Sequence, residues 1–309
     1  MRYRRLGRTN LRVSVVGVGT WQLGGEWGKR FEPHDAADIF DAARDSGINL
    51  IDTAECYGDH TSERLIGQAI EPDRSQWVVC TKFGHRFIAP FERTEPRRPT
   101  DVLEQLHASL SALRTDYVDL LQYHSWGDEQ FFDDDVLAVL HKARDDGKVR
   151  HLGNSVSKNT NVRQVGASRE RGIEAIQIIY NRLDTAPEGV TFPLCIQQDL
   201  GVLARVPLAS GLLSGRYRPG HVFPPGDVRA RWKGMVQGDD KHRALEQARS
   251  EVPHGVDMAT WALAWCLRNP AVSAVIPGCK SAEQVRKNAE SAELSDWVRD
   301  DHRQAWKGD

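Results

Sequence analysis

The sequence predicts a parallel α/β fold, an eight-stranded (β/α)8 barrel of the TIM type. Short apolar runs rich in β-branched residues recur eight times along the 309 residues, and amphipathic helical segments lie between them. Continuous apolar runs of this length are typical of strands that a parallel sheet buries on both faces. No linker-like or low-complexity segment divides the chain, so we expect one domain covering residues 1–309.

The predicted strands are short and mainly apolar, and they cover residues 13–20, 49–53, 77–82, 117–124, 149–155, 175–180, 202–208 and 272–277. Two of the intervening helices have clear apolar faces. Residues 35–45 place Ala36, Ile39, Phe40 and Ala43 together, and residues 100–113 place Leu103, Leu106, Leu110 and Leu113 together. Gly47, Gly147 and Gly172 each follow a helical pattern, at the position where a left-handed residue often ends a helix.

Composition excludes several function classes. The formal net charge is -2, which favours neither nucleic acid nor an anionic membrane surface as a partner. Hydrophobic residues make up 40% of the chain, but no apolar run is long enough to cross a bilayer and the N-terminus does not resemble a signal peptide. The cysteines are odd in number, scattered and without a CxxC motif, which indicates a reducing compartment and a cytoplasmic protein. They are Cys56, Cys80, Cys195, Cys266 and Cys279.

Two insertions lie between a predicted strand and the next helix, at residues 85–99 and 216–240. In a barrel both insertions lie at the carboxyl end of the strands, where ligands bind. We interpret the basic cluster at residues 93–98 as a solvated loop. We expect the second insertion to cover a cofactor phosphate, with Arg229, Arg231 and Lys233 as candidate phosphate ligands.

Polar side chains end three consecutive strands. Asp52 ends the second strand, Lys82 the third and His124 the fourth, and Tyr57 follows Asp52 by five residues. An acid, an amine and an imidazole are thereby delivered to one rim of a barrel, with a phenol beside them.

These residue types suit carbonyl reduction, in which the carbonyl oxygen gains negative charge and must receive a proton. Tyrosine is a weak acid at neutral pH, and a neighbouring ammonium group such as that of Lys82 lowers its pKa. Asp52 would hold Lys82 charged, and His124 would donate a hydrogen bond to the same oxygen. Each residue alone is more often structural, but their joint occurrence on successive strand ends favours a catalytic role.

These motifs resemble those of the aldo-keto reductase family over nearly the whole chain. Residues 52–58, with 62–67 after them, are similar to a signature of that family, and Lys82 and His124 match its other catalytic positions in order and spacing. The resemblance implies an eight-stranded β/α barrel that binds a nicotinamide cofactor without a Rossmann domain. It also implies that Tyr57 is the general acid, that Lys82 and Asp52 tune it, and that His124 positions the carbonyl.

The resemblance further implies a cofactor site distributed over several strand ends. Its expected residues are Gly19, Thr20, Trp21, Ser155, Gln177, Arg205, Pro207, Leu208, Gly211, Leu213, Ile276, Gly278, Lys280, Gln284, Lys287 and Asn288. Ser155 and Gln177 match positions that bind the nicotinamide carboxamide.

Four positions depart from the family pattern: Val156, Arg205, Gly278 and Gln284. Val156 replaces an asparagine that usually follows the serine, and Asn154 stands just before Ser155. Arg205 replaces a tyrosine that stacks on the nicotinamide; a flat guanidinium can stack in the same way, or it can form an ordinary ion pair at the rim.

The positions of the family's phosphate-binding lysine and arginine carry Gly278 and Gln284. Lys280 supplies a nearby positive charge, so we expect NADP(H) to be preferred over NAD(H), but weakly.

Three other interpretations of the sequence compete with this one. Residues 17–22 begin like a Rossmann GxGxxG motif but lack its third glycine, and no helix follows at once. A metal-dependent hydrolase needs clustered ligands, whereas no HxH or HExxH motif occurs among the eleven histidines, and we expect no metal. A redox-sensing regulatory barrel with little turnover stays open as the alternative function. The expected partner is a small carbonyl substrate, and the sequence indicates no oligomeric state. Aromatic residues in the loops would contact this substrate; the candidates are Trp27, Phe31, Phe87, Trp126 and Trp232.

Overall fold

The predicted barrel is confirmed. A computed structural model describes residues 1–217, 221–232, 239–294 and 301–306. Eight parallel strands form one sheet in the order β12-β11-β10-β9-β8-β5-β4-β3, so that strands follow one another around the sheet in chain order. These strands are β3 (Val18–Gly19), β4 (Leu50–Asp52), β5 (Val78–Phe83), β8 (Val118–His124), β9 (Val149–Ser155), β10 (Ala175–Ile179), β11 (Gly201–Arg205) and β12 (Ala274–Val275).

The sheet closes on itself between its first and last strands. Val16 pairs with Val275 and Gly19 pairs with Gly278, both in parallel. The Gly17 N–H donates to the Val275 carbonyl at 2.8 Å, and the Gly19 N–H donates to the Pro277 carbonyl at 2.9 Å. Closure leaves no free edge among these strands and brings their carboxyl ends to one rim.

Helices surround the barrel. They are α1 (Pro33–Asp45), α2 (Thr61–Ile70), α3 (Pro99–Ala112), α4 (Asp128–Phe131), α5 (Asp134–Asp145), α6 (Val162–Ala167), α7 (Thr191–Gln197), α8 (Asp239–Ser250), α9 (Met258–Leu267) and α10 (Ala282–Ala289). The apolar faces expected for α1 and α3 are buried except at Leu103. Gly47, Gly147 and Gly172 adopt φ values of 71°, 75° and 71°, as expected for residues that end a helix.

The first predicted strand, residues 13–20, is split. Its beginning lies in β2 (Arg12–Ser14), which pairs in antiparallel fashion with β1 (Tyr3–Arg5), and only β3 joins the barrel. Leu6 and Val13 are fully buried and pack in one cluster with barrel residues such as Leu50, Leu120 and Leu203. The apolar run is continuous because the chain is buried in both elements, so hydrophobicity alone does not reveal the break.

The first insertion, residues 85–99, contains a second hairpin, formed by β6 (Arg86–Ala89) and β7 (Glu92–Thr94). Arg93 is not solvated as expected: its side chain is 20% exposed, and its Nη2 lies 2.5 Å from Oε2 of Glu26. Arg93 is therefore part of the rim. Residues 218–220 and 233–238 of the second insertion, including Lys233, lie outside the described residues.

All five cysteines are buried and free. No helix in the described ranges has both the length and the apolar character needed to cross a bilayer.

Asp119 of β8 is a buried carboxylate that ties three elements together. Its Oδ2 accepts from Arg74 Nη2 at 2.9 Å and from the Val79 N–H at 3.0 Å, and its Oδ1 accepts from Arg150 Nη1 at 2.8 Å. Only 1% of the Asp119 side chain is exposed. Since two of its partners are themselves largely buried, removal of this carboxylate leaves polar groups without partners.

We expect Asp119→Ala to lower the free energy of unfolding by about 1–3 kcal/mol, because the buried Val79 N–H and the Arg74 guanidinium lose their acceptor. Urea unfolding followed by circular dichroism measures this. Asp146→Ala is the matched control, because Asp146 pairs with Lys142 on an exposed helix surface; its unfolding midpoint should equal that of the wild type. Equal midpoints for the two variants would contradict the role assigned to Asp119.

Candidate active site

A cavity of about 810 Å³ opens at the carboxyl end of the barrel strands. This volume lies within the usual range for small-molecule and cofactor sites. The predicted catalytic residues Asp52, Tyr57 and His124 line it, and Lys82 is buried beside them with 1% exposure. The structure therefore brings the four predicted catalytic residues together.

Lys82 is the centre of the polar contacts beneath the cavity. Its Nζ donates to Asp52 Oδ2 at 2.8 Å, to the Thr53 carbonyl at 2.6 Å and to the Tyr57 hydroxyl at 3.4 Å. Asp52 Oδ1 in turn accepts from Gln177 Nε2 at 2.6 Å and from Gln122 Nε2 at 3.4 Å. Because the ammonium has its donors directed to these three oxygens, the position of the Tyr57 hydroxyl relative to Lys82 is fixed.

Burial and charge act in opposite directions on these groups. Burial raises the pKa of Tyr57 to about 12, and the Lys82 ammonium opposes this rise without cancelling it. Burial by itself would lower the pKa of Lys82, but Asp52 and then Tyr57 raise it above its ordinary value. The expected acidification of Tyr57 by Lys82 thus has the right direction, but burial is the larger effect. At neutral pH the phenol is protonated and the amine is charged.

His124 is a neutral imidazole at the rim. Burial lowers its pKa well below the usual range, and the neighbouring His85 and Lys82 lower it further. Its ring lies 6.0 Å from that of Tyr57 at 80°. A neutral imidazole carries one N–H, so it can donate a hydrogen bond to a carbonyl oxygen without adding charge.

The aromatic wall of the cavity consists of Trp21 and Trp27, which line it, and Trp232, which packs against both. The ring of Trp21 stacks on Tyr57 with centroids 6.0 Å apart, and Trp21, Trp27 and Trp232 contact one another at 5.2–6.2 Å. Of the other aromatic candidates, Trp126 and Phe31 are 2% and 7% exposed and pack in the core, while Phe87 lies in β6.

Buried Glu26 anchors this wall to the insertion at residues 85–99. Its Oε2 accepts from Trp21 Nε1 at 2.9 Å and from Arg93, and its Oε1 accepts from the Phe91 N–H at 2.7 Å. The hairpin and the tryptophans are therefore held as one unit.

The predicted carboxamide-binding residues extend the polar network. Ser155 Oγ donates to Gln177 Oε1 at 3.4 Å, and both residues line the cavity. Asn154 faces the other side of β9, where its Nδ2 donates to Gln164 Oε1 at 3.0 Å. Asn154 thus does not take the place of the asparagine that the family has at Val156.

Arg205 lines the cavity, and its Nη2 donates to the Val156 carbonyl at 3.1 Å. Burial lowers the pKa of Arg205 below its ordinary value, although the nearby Tyr57 and Asp52 oppose this. Its Nε is buried and has no hydrogen-bond partner among the described residues. The ion pair expected as the ordinary alternative is therefore not what holds this side chain.

The turn after β11 has a run of residues with left-handed backbone. Val206, Ala209, Ser210 and Gly211 have φ values of 55°, 47°, 56° and 101°. Within this turn the Ala209 N–H donates to the Val206 carbonyl and the Gly211 N–H donates to the Leu208 carbonyl, each at 2.9 Å. A Cβ at Gly211 would lie 2.8 Å from the Tyr217 ring, so the close approach requires glycine.

The segment after β12 carries the predicted adenosine-phosphate residues. Ser281 caps α10, and Gln284 Oε1 accepts from the Lys280 N–H at 2.8 Å. The Lys280 ammonium donates to the Trp27 carbonyl at 2.5 Å, whereas Lys287 lies 3.2 Å from Asp257. Both lysines line the cavity, as does Glu283.

The other predicted cofactor residues line the same cavity, with one exception. Those on the wall are Gly19, Thr20, Trp21, Pro207, Leu208, Ile276, Gly278, Gln284 and Asn288. Leu213 instead lies in the hydrophobic core with 0% exposure.

Of the basic residues expected to reach phosphate, Arg229 pairs with Asp227 at 2.6 Å, and Arg231 lies over the Phe91 ring at 4.3 Å. Both guanidinium groups thus contact other side chains of the protein.

Several cavity residues were not expected from the sequence. They include Gln22, Cys56, His85, Arg93, Arg216 and Asp257. Most lie in irregular segments without periodicity, although the helix-capping pattern at Asp257 marks the start of α9.

Glu55, Cys56 and His124 place their ligand atoms within 4.8 Å of one another. Burial raises the pKa of Glu55 to about 8, and it raises the pKa of the Cys56 thiol well above its ordinary value. Both groups are therefore protonated at neutral pH. The cluster therefore presents two protonated groups to the neutral imidazole of His124.

Comparison with known proteins identifies the family. The sequence model of the Aldo/keto reductase family matches residues 15–306. An NADH-specific methylglyoxal reductase of Escherichia coli K12 is 31% identical over 94% of this chain and 93% of that protein. A probable voltage-gated potassium channel subunit beta of Oryza sativa is 30% identical over 95% of this chain and 92% of that protein.

A solved structure of an aldo-keto reductase from Bacillus halodurans, in its holo form, superposes with a TM-score of 0.80. The sequences are 28% identical, and the match covers 96% of this chain and 92% of that one. The structural similarity and the family match thus agree over nearly the whole length. The chain belongs to the aldo/keto reductase family and is an NAD(P)H-dependent oxidoreductase.

Proposed function

We propose that the protein reduces an aldehyde or ketone to the alcohol, with Tyr57 as the general acid. The observation that carries this proposal is the contact of Lys82 with both Asp52 and the Tyr57 hydroxyl at the floor of the cavity. Five buried free thiols favour a reducing, cytoplasmic environment for the reaction.

The cavity fits a nicotinamide dinucleotide. Ser155, Gln177 and Arg205 would hold the nicotinamide end, and the left-handed turn at residues 206–211, which lines the cavity, would contact the pyrophosphate. The unpartnered Nε of Arg205 supports this, because a buried guanidinium nitrogen needs an acceptor or a flat ring beside it. When bound, the reduced nicotinamide supplies the hydride that the carbonyl carbon receives.

The side chains of this chain handle the proton. As the carbonyl carbon gains the hydride, its oxygen becomes an alkoxide, and the Tyr57 O–H transfers its proton to that oxygen. Lys82 stabilises the resulting phenolate, and Asp52 keeps the ammonium in place. A proton from solvent restores Tyr57, so that one hydride and one proton convert the carbonyl to the alcohol.

The wall of Trp21, Trp27 and Trp232 favours carbonyl compounds with an apolar or sugar-like face. The side chains of His124 and Tyr57 would orient the carbonyl oxygen against this wall.

Tyr57→Phe removes one hydroxyl and little volume. We expect turnover to fall by about 10²–10⁴-fold, because positioned proton transfer contributes this much. Steady-state oxidation of the reduced cofactor with an aromatic aldehyde measures turnover, and quenching of tryptophan fluorescence measures cofactor binding, which should change little. Turnover near the wild-type value would refute the assignment of Tyr57.

Lys82→Met keeps the length of the side chain but removes the charge that opposes the burial-driven rise in the Tyr57 pKa. Turnover should be lost at every pH from 6 to 9, because no other described cation contacts the phenol oxygen. A thermal melt checks that the fold persists. A folded variant with the wild-type pH profile would contradict the coupling between Lys82 and Tyr57.

For the cofactor we propose a weak preference for NADP(H). Lys280 supports this because its ammonium contacts a neutral carbonyl and so keeps its charge available to a 2′-phosphate. Glu283 on the same wall and the absence of an arginine at Gln284 limit the preference. The similar Escherichia coli protein is named NADH-specific, which makes the comparison of the two cofactors decisive.

The ratio of kcat/KM for NADPH to that for NADH should exceed one and should fall roughly tenfold or more in Lys280→Ala, since hydrogen bonds to charged groups contribute about 1.5–3 kcal/mol. Lys287→Ala is the matched control, because its charge is already neutralised by Asp257. This control should change the ratio less. A wild-type preference for NADH, or an unchanged ratio in Lys280→Ala, would overturn the proposal.

A redox-sensing regulatory role is the second candidate, favoured by the similarity to potassium channel beta subunits. It requires the same cofactor site but little turnover. A panel of aldehydes and ketones separates the two: oxidation of bound reduced cofactor that stays slow with every carbonyl compound would favour the regulatory role.

A further inference from the structure

Glu55 is a buried carboxyl group at the rim that the reaction above does not use. Its Oε1 accepts from the His85 N–H at 2.9 Å. Its Oε2 is buried and has no hydrogen-bond partner among the described residues. A buried polar atom without a partner costs free energy, so its position calls for an explanation.

The unpartnered oxygen lies beside the imidazole of His124. Glu55 Oε2 is 3.9 Å from His124 Nδ1, and Cys56 Sγ is 3.6 Å from the same nitrogen. Nδ1 thus faces the protein, and Nε2 is the nitrogen left to contact a substrate in the cavity.

The ability of His124 to donate a hydrogen bond to the substrate depends on which ring nitrogen carries the proton. With the proton on Nε2, the ring donates a hydrogen bond to a carbonyl oxygen. With the proton on Nδ1, Nε2 presents a lone pair to that oxygen and repels it.

We propose that Glu55 is a positioning residue that donates its carboxyl proton to His124 Nδ1 and thereby holds the proton of the imidazole on Nε2. The inference deepens the proposed function, since it names the group that prepares His124 to bind the carbonyl oxygen. The 3.9 Å separation of Oε2 and Nδ1 is longer than a hydrogen bond, and catalytic contacts of this kind often tighten to hydrogen-bond length only when the substrate is bound.

The surroundings of Glu55 keep this proton in place near neutral pH. Burial raises the pKa of Glu55 to about 8; the His85 N–H lowers it, the Glu63 carboxylate raises it and Lys82 lowers it slightly. The titratable and charged groups that face Glu55 or His124 lie on several elements: Cys56 beside Tyr57, Glu63 in α2, Lys82 in β5, His85 after β5, Arg93 in β7 and Arg205 in β11.

The sign of the pH dependence follows from this arrangement. Below about pH 8 Glu55 is protonated, donates to Nδ1 and leaves the N–H on Nε2. Above that pH the carboxylate attracts an N–H at Nδ1 instead, and the carbonyl oxygen loses its donor. Tyr57, with a pKa near 12, titrates at higher pH, so turnover should fall first with the ionisation of Glu55.

Glu55→Gln provides the sharpest test, because glutamine reproduces the protonated acid but cannot ionise. Its amide oxygen can accept from the His85 N–H while its NH₂ donates to Nδ1. We expect turnover at pH 7 within about threefold of the wild type and no fall near pH 8. Glu55→Met removes the donor and should lower turnover at pH 7 roughly tenfold with unchanged cofactor affinity, the equivalent of one hydrogen bond.

Cys56→Ala is the matched control for the other neighbour of Nδ1. The alkaline fall in turnover should keep its midpoint in this variant. A fall that persists in Glu55→Gln, or one that disappears in Cys56→Ala, would overturn the role of Glu55, as would wild-type turnover in Glu55→Met.

Tautomer measurement tests the proposal without relying on turnover. In ¹⁵N-histidine-labelled full-length protein, the two-bond ¹⁵N–¹H spectrum distinguishes the two tautomers, and a His124→Gln sample identifies the His124 signals. We expect the Nε2–H form at pH 7 in both wild type and Glu55→Gln, and a shift towards Nδ1–H above pH 8 only in the wild type.

An Nδ1–H form at pH 7, or no change with pH in the wild type, would refute the proposal. This outcome is distinguishable from a failure of the proposed function, in which the tautomer shift is present but no carbonyl compound is reduced.

Discussion

The buried ion pair between Lys82 and Asp52 is the interaction on which the catalytic end of the barrel depends. Burial of either charge alone is costly, and the pair is tolerable only because each group has further hydrogen-bond partners. Lys82 also contacts the Thr53 carbonyl, and Asp52 accepts from Gln177 and Gln122. The network therefore joins β4, β5, β8 and β10 across the barrel and fixes where the Tyr57 hydroxyl lies.

Much of this arrangement is predictable from the sequence, because a parallel barrel maps strand order onto position around the rim. Asp52 and His124 end β4 and β8, and Lys82 is the last residue but one of β5 between them, so their convergence follows from the fold. The split of residues 13–20 does not follow, because buried hairpin and buried barrel strand have the same apolar pattern. Nor does the role of Arg93, whose partner Glu26 is 67 residues away in the chain.

Electrostatic effects are harder to predict, because sequence spacing identifies neighbouring charges but does not give the degree of burial. Lys82 was expected to make Tyr57 more acidic, and its charge does act in that direction, yet burial raises the pKa to about 12. The environment of Glu55 is even harder to predict from the sequence. Its sequence position beside Cys56 and Tyr57 reveals neither its buried carboxyl group nor the 3.9 Å approach to His124, which depend on the packing of β4 against β8 through β5.

A protein named as a reductase and a protein named as a potassium channel subunit each match more than 90% of this chain. The fold and the chain length therefore do not distinguish the two kinds of protein. Individual side chains must therefore distinguish them. In this chain two buried carboxyls bear on the proposed site: Glu26 ties Trp21 to Arg93, and Glu55 faces His124. Both carboxyls lie in segments that follow a strand, where a side chain can change without disturbing the strands themselves. Neither carboxyl is among the hydrogen-bond partners given above for Lys82 and Asp52, so a change at either one would leave that pair in place.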